Sequence, residues 1–193
     1  LFKIFNRIDT WEYLQNSLST ISWKTFTYDK YAKLLDEVMD SGERLYSAAY
    51  IMPSPAFGSA RKHRNHLHLL EHMMKTKGPK KIANAKTLEE VFSILKSYPS
   101  LGPFLAFQFT IDLNYSSMID FSESDFVVAG PGAQDRIKKC FANTDGLNEE
   151  AVIHAVTNMA DREFKRLGLK FQNLWGRALQ PIDCQNLFCE VDK

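Results

Sequence analysis

Residues 95–117 read LKSYPSLGPFLAFQFTIDLNYSS, two runs of helically spaced apolar residues split by a proline and a glycine. Pro99 ends the first run as a helix, because its ring removes a backbone N–H and crowds the preceding turn. Gly102 permits a positive dihedral and a close approach, and Ala106 is small enough for tight helix packing. Those positions fit a plain corner between two helices. They fit equally the hairpin of a helix-hairpin-helix element, where outward N–H groups and a helix N-terminus hold a DNA phosphate without reading bases. In that second reading Ser100 stands where the usual first glycine belongs.

The rest of the chain follows the same periodicity, so the expected fold is all-α. Asp9 and Glu12 signal a helix start for TWEYLQNSL, and YDKYAKLLDEVMDS runs to Gly42 as a stop. RLYSAAYIM is undecided between helix and strand, and MPSPAFGSA is a loop. RKHRNHLHLLEHMMK is a basic helix ending near Gly78, and Thr87 with Glu90 forms a capping box for LEEVFSILKS. Asp125 precedes a helical run in DFVVAGPGAQDRIKKCF, NEEAVIHAVTNMADREFKRL is a long amphipathic helix stopped by Gly168, and Asp183 caps a last helix in PIDCQNLFCEVDK. The organisation reads as one domain over 1–193, or as two lobes, 1–85 and 86–193, around one cleft. A first residue Leu1 and a helical pattern running to Lys193 read as a piece of a longer chain.

Charge is unevenly spread. Eight Lys/Arg and one acid, Glu71, lie between residues 60 and 86, so this segment is strongly positive while the net charge of the chain is only +1. Such a face suits a polyanion, with Arg61, Lys62 and Arg64 as backbone contacts. His63, His66, His68 and His72 share the same helix and read as a polar face, since no further ligands stand at zinc spacing. No metal or cofactor is expected. GPGAQDR lacks the lysine of a nucleotide-binding P-loop, and FGSARKH lacks its second glycine. Three cysteines are too few for a disulfide framework and favour an intracellular setting, cytoplasmic or nuclear. No run is apolar and long enough for a membrane span.

Downstream of the hairpin, MIDFSESDFVV places Asp120, Glu123 and Asp125 at 18, 21 and 23 residues from Gly102. In helix-hairpin-helix DNA glycosylases an acidic residue beyond the hairpin performs catalysis, which makes Asp125 and Glu123 candidates to stabilise an oxocarbenium-like sugar or orient a water. The lysine that forms a Schiff base in bifunctional members is replaced by Pro103, Phe104 and Leu105, so a glycosylase here would be monofunctional.

The blocks YSAAYIM, LGPFLAFQFTIDLNYS, DFVVAGPGAQDRIKKCF, LWGRAL and IDCQNLFCEVDK resemble the alpha-glutamyl/putrescinyl-thymine pyrophosphorylase family, which overlaps with the helical domain associated with 5-hydroxymethyl-deoxyuridine DNA kinases. The resemblance covers most of the chain. It implies a helix-hairpin-helix glycosylase-like fold, DNA as partner, and a setting in phage DNA hypermodification. It brings forward Gln108, Asp112, Asn114 and Tyr115 from the first long block, and Asp125, Gly130, Pro131 and Gly132 from the second. Arg177, Asp183, Gln185, Asn186 and Glu190 come from the end of the chain. Amides and acids of this kind suit a pocket that reads the edge of a flipped base, with Tyr115 or Trp175 as a stacking surface. Pro99, Gly102, Gly130, Gly132, Lys138, Lys139 and Arg177 would hold phosphates, although Asp135-Arg136 stands where a small residue is expected beside the second turn.

Three functions follow as expectations. The first is monofunctional excision of a hydroxymethylated or hypermodified pyrimidine, with Asp125, Glu123 and Asp183 as catalytic acids. The second is transfer of an amine onto an activated hydroxymethyl-thymine, with Arg136, Lys138, Lys139 and Arg177 on the pyrophosphate. The third is a non-catalytic DNA-docking domain of a larger enzyme.

Overall fold

The computed structural model describes residues 1–191. Among them the regular structure is helical throughout, with nine α-helices and one short 3-10 turn. The all-α expectation is met. The chain divides into two compact units, but not at a single cut near residue 85. The first unit comprises Leu1–Asn84 and Ile94–Leu105, and the second Ala85–Ser93 and Ala106–Lys193.

In the first unit, α1 (Ile8–Ser17), α2 (Tyr28–Asp40), α3 (Lys62–Lys75) and α4 (Gly78–Ala83) bury Phe5, Leu14, Tyr31, Leu35, Leu67, Leu69 and Ile82. The buried Tyr31, Ala32 and Leu35 of α2 lie on one helical face, as their spacing requires. Each fully buried leucine contributes about 2 kcal/mol. Gly42, at φ +85°, terminates α2 as its position implies. Asp9 does not cap α1: the helix starts at Ile8 after Arg7, whose guanidinium pairs with Asp9 at 2.6 Å. Residues 44–52, the stretch left between helix and strand, have no regular structure.

Gly78 is the clearest local correction. The left-handed position after α3 is taken by Lys77 at φ 60°, and Gly78 begins α4 rather than ending α3. Its lack of a side chain serves packing. A Cβ there would lie 2.7 Å from the Tyr98 hydroxyl and 2.9 Å from the Met73 carbonyl oxygen. The hydroxyl is itself within 3.0 Å of the Thr76 hydroxyl, so it has little room to retreat. Gly78→Ala is therefore expected to destabilise the protein by about 1–3 kcal/mol, measurable by urea denaturation.

The second unit gathers α7 (Pro131–Cys140), α8 (Glu149–Arg166), α9 (Pro181–Glu190) and most of α5 (Leu88–Lys96) and α6 (Pro103–Asn114). Their core contains Leu88, Phe107, Ile111, Ile137, Ile153, Ile182 and Phe188. α6 is apolar nearly all round and correspondingly buried, through Leu105, Ala106, Phe107, Thr110 and Ile111. The Thr87–Glu90 cap forms: the Glu90 N–H donates to Thr87 Oγ1 at 3.1 Å, while its carboxylate accepts from the Lys86 N–H at 2.6 Å. Asn148 caps α8, and Gly168 at φ 68° follows its end. Residues 126–130 are not helical, contrary to the reading of DFVVAG. They have no regular structure and bury Val127 and Ala129, and the helix begins only at Pro131.

Candidate functional site

The second unit carries a polar cluster built around the start of α9. Gln180 is the N-cap, and Asp183, three residues on, closes a capping box by accepting the Gln180 N–H at 2.8 Å. Asp183 is thus an interior first-turn residue and not the cap itself. The same carboxylate takes both Arg177 guanidinium nitrogens at 2.9 Å, a bidentate pair with fixed geometry. Its partners hold Arg177 firmly in the charged state, chiefly through that hydrogen bonding to Asp183.

Tyr115, at the end of α6, donates its hydroxyl to Glu123 at 3.2 Å. Desolvation of the hydroxyl end, then the Glu123 charge and hydrogen bond, push this phenol up to about 12, with Arg177 opposing. Tyr115 therefore remains a neutral donor at physiological pH, although the residue as a whole is exposed. Tyr115, Glu123, Arg177 and Asp183 feel one another's charge and form a single cluster. Ser124 joins it by donating to Gln180 Oε1 at 3.1 Å.

Beside Arg177, residues Leu174–Arg177 form a tight turn. Leu174 and Arg177 pair as an antiparallel bridge, and the Arg177 N–H donates to the Leu174 carbonyl at 3.0 Å. The two central residues, Trp175 at φ 50° and Gly176 at φ 86°, are both left-handed, as a mirror-type two-residue turn demands. Trp175 is 100% exposed.

The whole chain, residues 1–193, matches the family model described as "5-hmdU DNA kinase, helical domain". The chain belongs to that family. No curated protein and no solved structure matches it. The family's description names a kinase for a modified pyrimidine of DNA, so a domain of a DNA-acting enzyme is the frame for its residues. No helix among the described residues is long and apolar enough to cross a membrane.

Several sequence candidates of this 5-hmdU DNA kinase helical domain stand away from the cluster. Gln108 and Gln185 are buried; the Gln108 amide donates to Gln185 Oε1 at 3.4 Å, and the Gln185 amide to Cys189 Sγ at 2.9 Å. Asn114 clamps the next loop, donating to the Phe121 carbonyl at 2.9 Å and accepting its N–H at 2.8 Å. These three amides organise the fold beneath the surface. Asp112 and Glu190 lie exposed on α6 and α9, and Asn186 is half-buried on α9.

Asp125 is exposed and precedes five residues without regular structure, so no helix starts directly behind it. The Gly-Pro-Gly turn is committed to packing: Gly130 is buried, and a Cβ on Gly132 would meet Cys189 Sγ at 3.3 Å, so α7 lies directly on α9. Lys138 pairs with Glu149 at 3.7 Å and Lys139 with Asp135 at 3.4 Å, while Arg136 donates to the Val191 carbonyl at 2.8 Å.

The basic helix of the first unit is also more inward than its letters imply. Arg61 donates to Asp36 at 2.7 Å and to Asp40 at 2.9 Å, and Arg64 grips the other Asp36 oxygen. Lys62 lies 4.6 Å from the centre of the Tyr46 ring. His63 and His66 are 1% and 0% exposed, whereas His68 is half-buried and His72 exposed, so only the latter two stand on the outer face of the helix. His63 Nε2–H donates to Asp36 at 2.8 Å; the His66 ring accepts from the Tyr46 hydroxyl at 2.8 Å and donates to the Pro53 carbonyl at 3.0 Å.

At the hairpin, Pro99 and Gly102 are exposed, and the left-handed residue is Ser100 at φ 64°, not Gly102. Nothing lies within 4 Å of the place a Cβ on Gly102 would occupy, so the backbone there is accessible.

Proposed function

We propose that these residues form the DNA-holding, base-reading part of 5-hydroxymethyl-deoxyuridine phosphorylation, the third of the functions expected from the sequence. The observation that carries this reading is the Tyr115–Glu123–Arg177–Asp183 cluster, which combines a locked guanidinium, a neutral phenol and an accessible carboxylate on one surface. Glu123 offers an acceptor for the 5-hydroxymethyl O–H, and Arg177 offers donors to a base oxygen or a neighbouring phosphate. Thymine lacks that hydroxyl and would leave the Glu123 acceptor unmatched. The sequence has no G-x-x-x-x-G-K-[ST] loop, so the role left to these residues is to hold and present the base.

Fluorescence anisotropy with otherwise identical hydroxymethyluracil and thymine duplexes tests this. Binding should favour the modified duplex by about 5–10-fold, the worth of roughly one hydrogen bond. Glu123→Ala should erase the preference while leaving most of the affinity for thymine DNA. Equal affinity for the two duplexes in the unaltered protein would sink the base-reading role.

Base excision is a second reading, favoured by Ser100, whose left-handed backbone occupies the hairpin position where a glycosylase-type turn takes its first glycine. Under it Asp125 orients a water for attack on the sugar. Incubation with hydroxymethyluracil DNA followed by hot alkali would then yield strand breaks, and Asp125→Asn would abolish them. Uncleaved DNA from the unaltered protein excludes it.

A further inference from the structure

We propose that Trp175 is a wedge that enters the base stack beside the modified pyrimidine. This rests on the DNA-holding role proposed above. A tryptophan is the largest apolar side chain, and here none of its surface is covered by the fold. Its backbone is left-handed as well, a conformation that bulky side chains adopt rarely. Both features work against the folded state alone, and neither is compensated by any packing of the indole.

The backbone beneath the ring is held in place. Gly176 and the Leu174–Arg177 bridge fix the turn, and Arg177 is moored to α9 through its bidentate pair with Asp183. Upstream, Phe171 stacks on Phe164 of α8 with ring centres 4.8 Å apart, which ties the connecting segment down. With the backbone fixed, contact orders only the two side-chain torsions of the indole, a small cost for so large a surface.

Charge selects the occupant. Between residues 162 and 177 stand Arg162, Lys165, Arg166, Lys170 and Arg177 against one acid, Glu163. Arg162 and Arg166 pair with Glu163, whereas Lys165 and Lys170 are exposed. A fully exposed indole in a cationic segment matches the combination by which proteins hold unstacked nucleic acid: ring on base, cations on backbone. Arg177, one turn residue away, then places the wedge next to the cluster that reads the base.

The experiment uses the 193-residue protein, a hydroxymethyluracil duplex, and the same duplex with an abasic residue opposite the modified base, so that the stack is already opened. Affinity is read by anisotropy and stacking by quenching of tryptophan emission. The unaltered protein should bind the opened duplex more tightly, and its emission should be quenched on binding. Trp175→Ala should weaken binding about 5- to 100-fold and remove the preference for the opened duplex. Trp175→Phe should restore most of the affinity but not the quenching. Far-UV circular dichroism should be unchanged in both variants, since the indole packs on nothing. If the unaltered protein binds and Trp175→Ala binds equally well, the wedge is overturned and the DNA-holding role stands. If the unaltered protein binds neither duplex, both are overturned.

Discussion

Asp36→Ala is expected to lower stability by about 3 kcal/mol, the largest loss from any single polar side chain of the first unit. The carboxylate is 16% exposed and joins three donors from the start of α3: Arg61, His63 and Arg64. Hydrogen bonding from Arg64, then His63 and Arg61, holds its pKa far below the usual carboxylate range against the opposing effect of burial. Removing it leaves the His63 N–H without its acceptor in a buried site, and two guanidinium groups facing each other. Those guanidiniums reach solvent and regain hydration, which keeps the loss near the lower end for a broken buried pair. With an m-value of about 2 kcal/mol/M, the urea midpoint should fall by about 1.5 M. Tryptophan emission reports on this unit, because Trp11 and Trp23 lie in it and Trp175 is already exposed before unfolding. Arg64→Ala should cost only about 1 kcal/mol, because it removes a half-exposed partner and leaves the other two in place. Equal losses in the two variants would show that the network does not centre on Asp36.

The same network explains why a basic helix misleads when read alone. Eight cations between residues 60 and 86 look like a nucleic-acid face, but Asp36 and Asp40 lie more than twenty residues upstream and meet Arg61 and Arg64 only in the fold. Local signals are legible where their cause is local: the Gly42 stop, the Thr87–Glu90 cap and the Asn148 start all require only neighbours. Gly78 misleads because its need is a distant one, the Tyr98 hydroxyl twenty residues on. Asp183 is recognisable as belonging to a helix start, yet its second task, anchoring Arg177, depends on a turn that brings the two together.

The candidate site shows the same division. Tyr115, Glu123, Trp175, Arg177 and Asp183 all carry residue types suited to a base-reading surface, and four of them converge. Gln108, Asn114 and Gln185 have equally suitable chemistry but lie on inward faces of α6 and α9, where an amide satisfies other buried groups. The cationic stretch 162–177 is hidden in the sequence because it is interleaved with Leu167, Leu169 and Phe171, and reads as the tail of an amphipathic helix. Its significance comes from the exposed Trp175 near its end, a fact of burial that periodicity does not contain.

Mild acid should destabilise the first unit chiefly through His66, a change that the Asp36 carboxylate itself does not produce. Burial, the first cause, lowers the His66 pKa to about 4, against about 6.5 in an unfolded chain. The folded state therefore favours neutral imidazole, with Nδ1 accepting from Tyr46 and Nε2–H donating to Pro53. A protonated ring would lose its acceptor and sit as a charge among buried groups, near Lys62 and His63. Between pH 6.5 and 4 the unfolded chain binds the proton and the folded one does not, so stability falls as pH falls, by about 3 kcal/mol over the window. His63, lowered chiefly by burial, adds a loss of the same sign. Asp36, with its pKa lowered, contributes stability that is intact above its unfolded value near 3.9 and disappears only below it. The two windows barely overlap, so urea titrations at about pH 7.5, 6 and 4.5 isolate the histidines. His66→Gln, which keeps a donor and an acceptor but cannot be protonated, should remove most of the slope, whereas Asp36→Asn should not reduce it, since the lost carboxylate is what raises the His63 pKa against burial. An undiminished slope in His66→Gln would assign the acid sensitivity to another group.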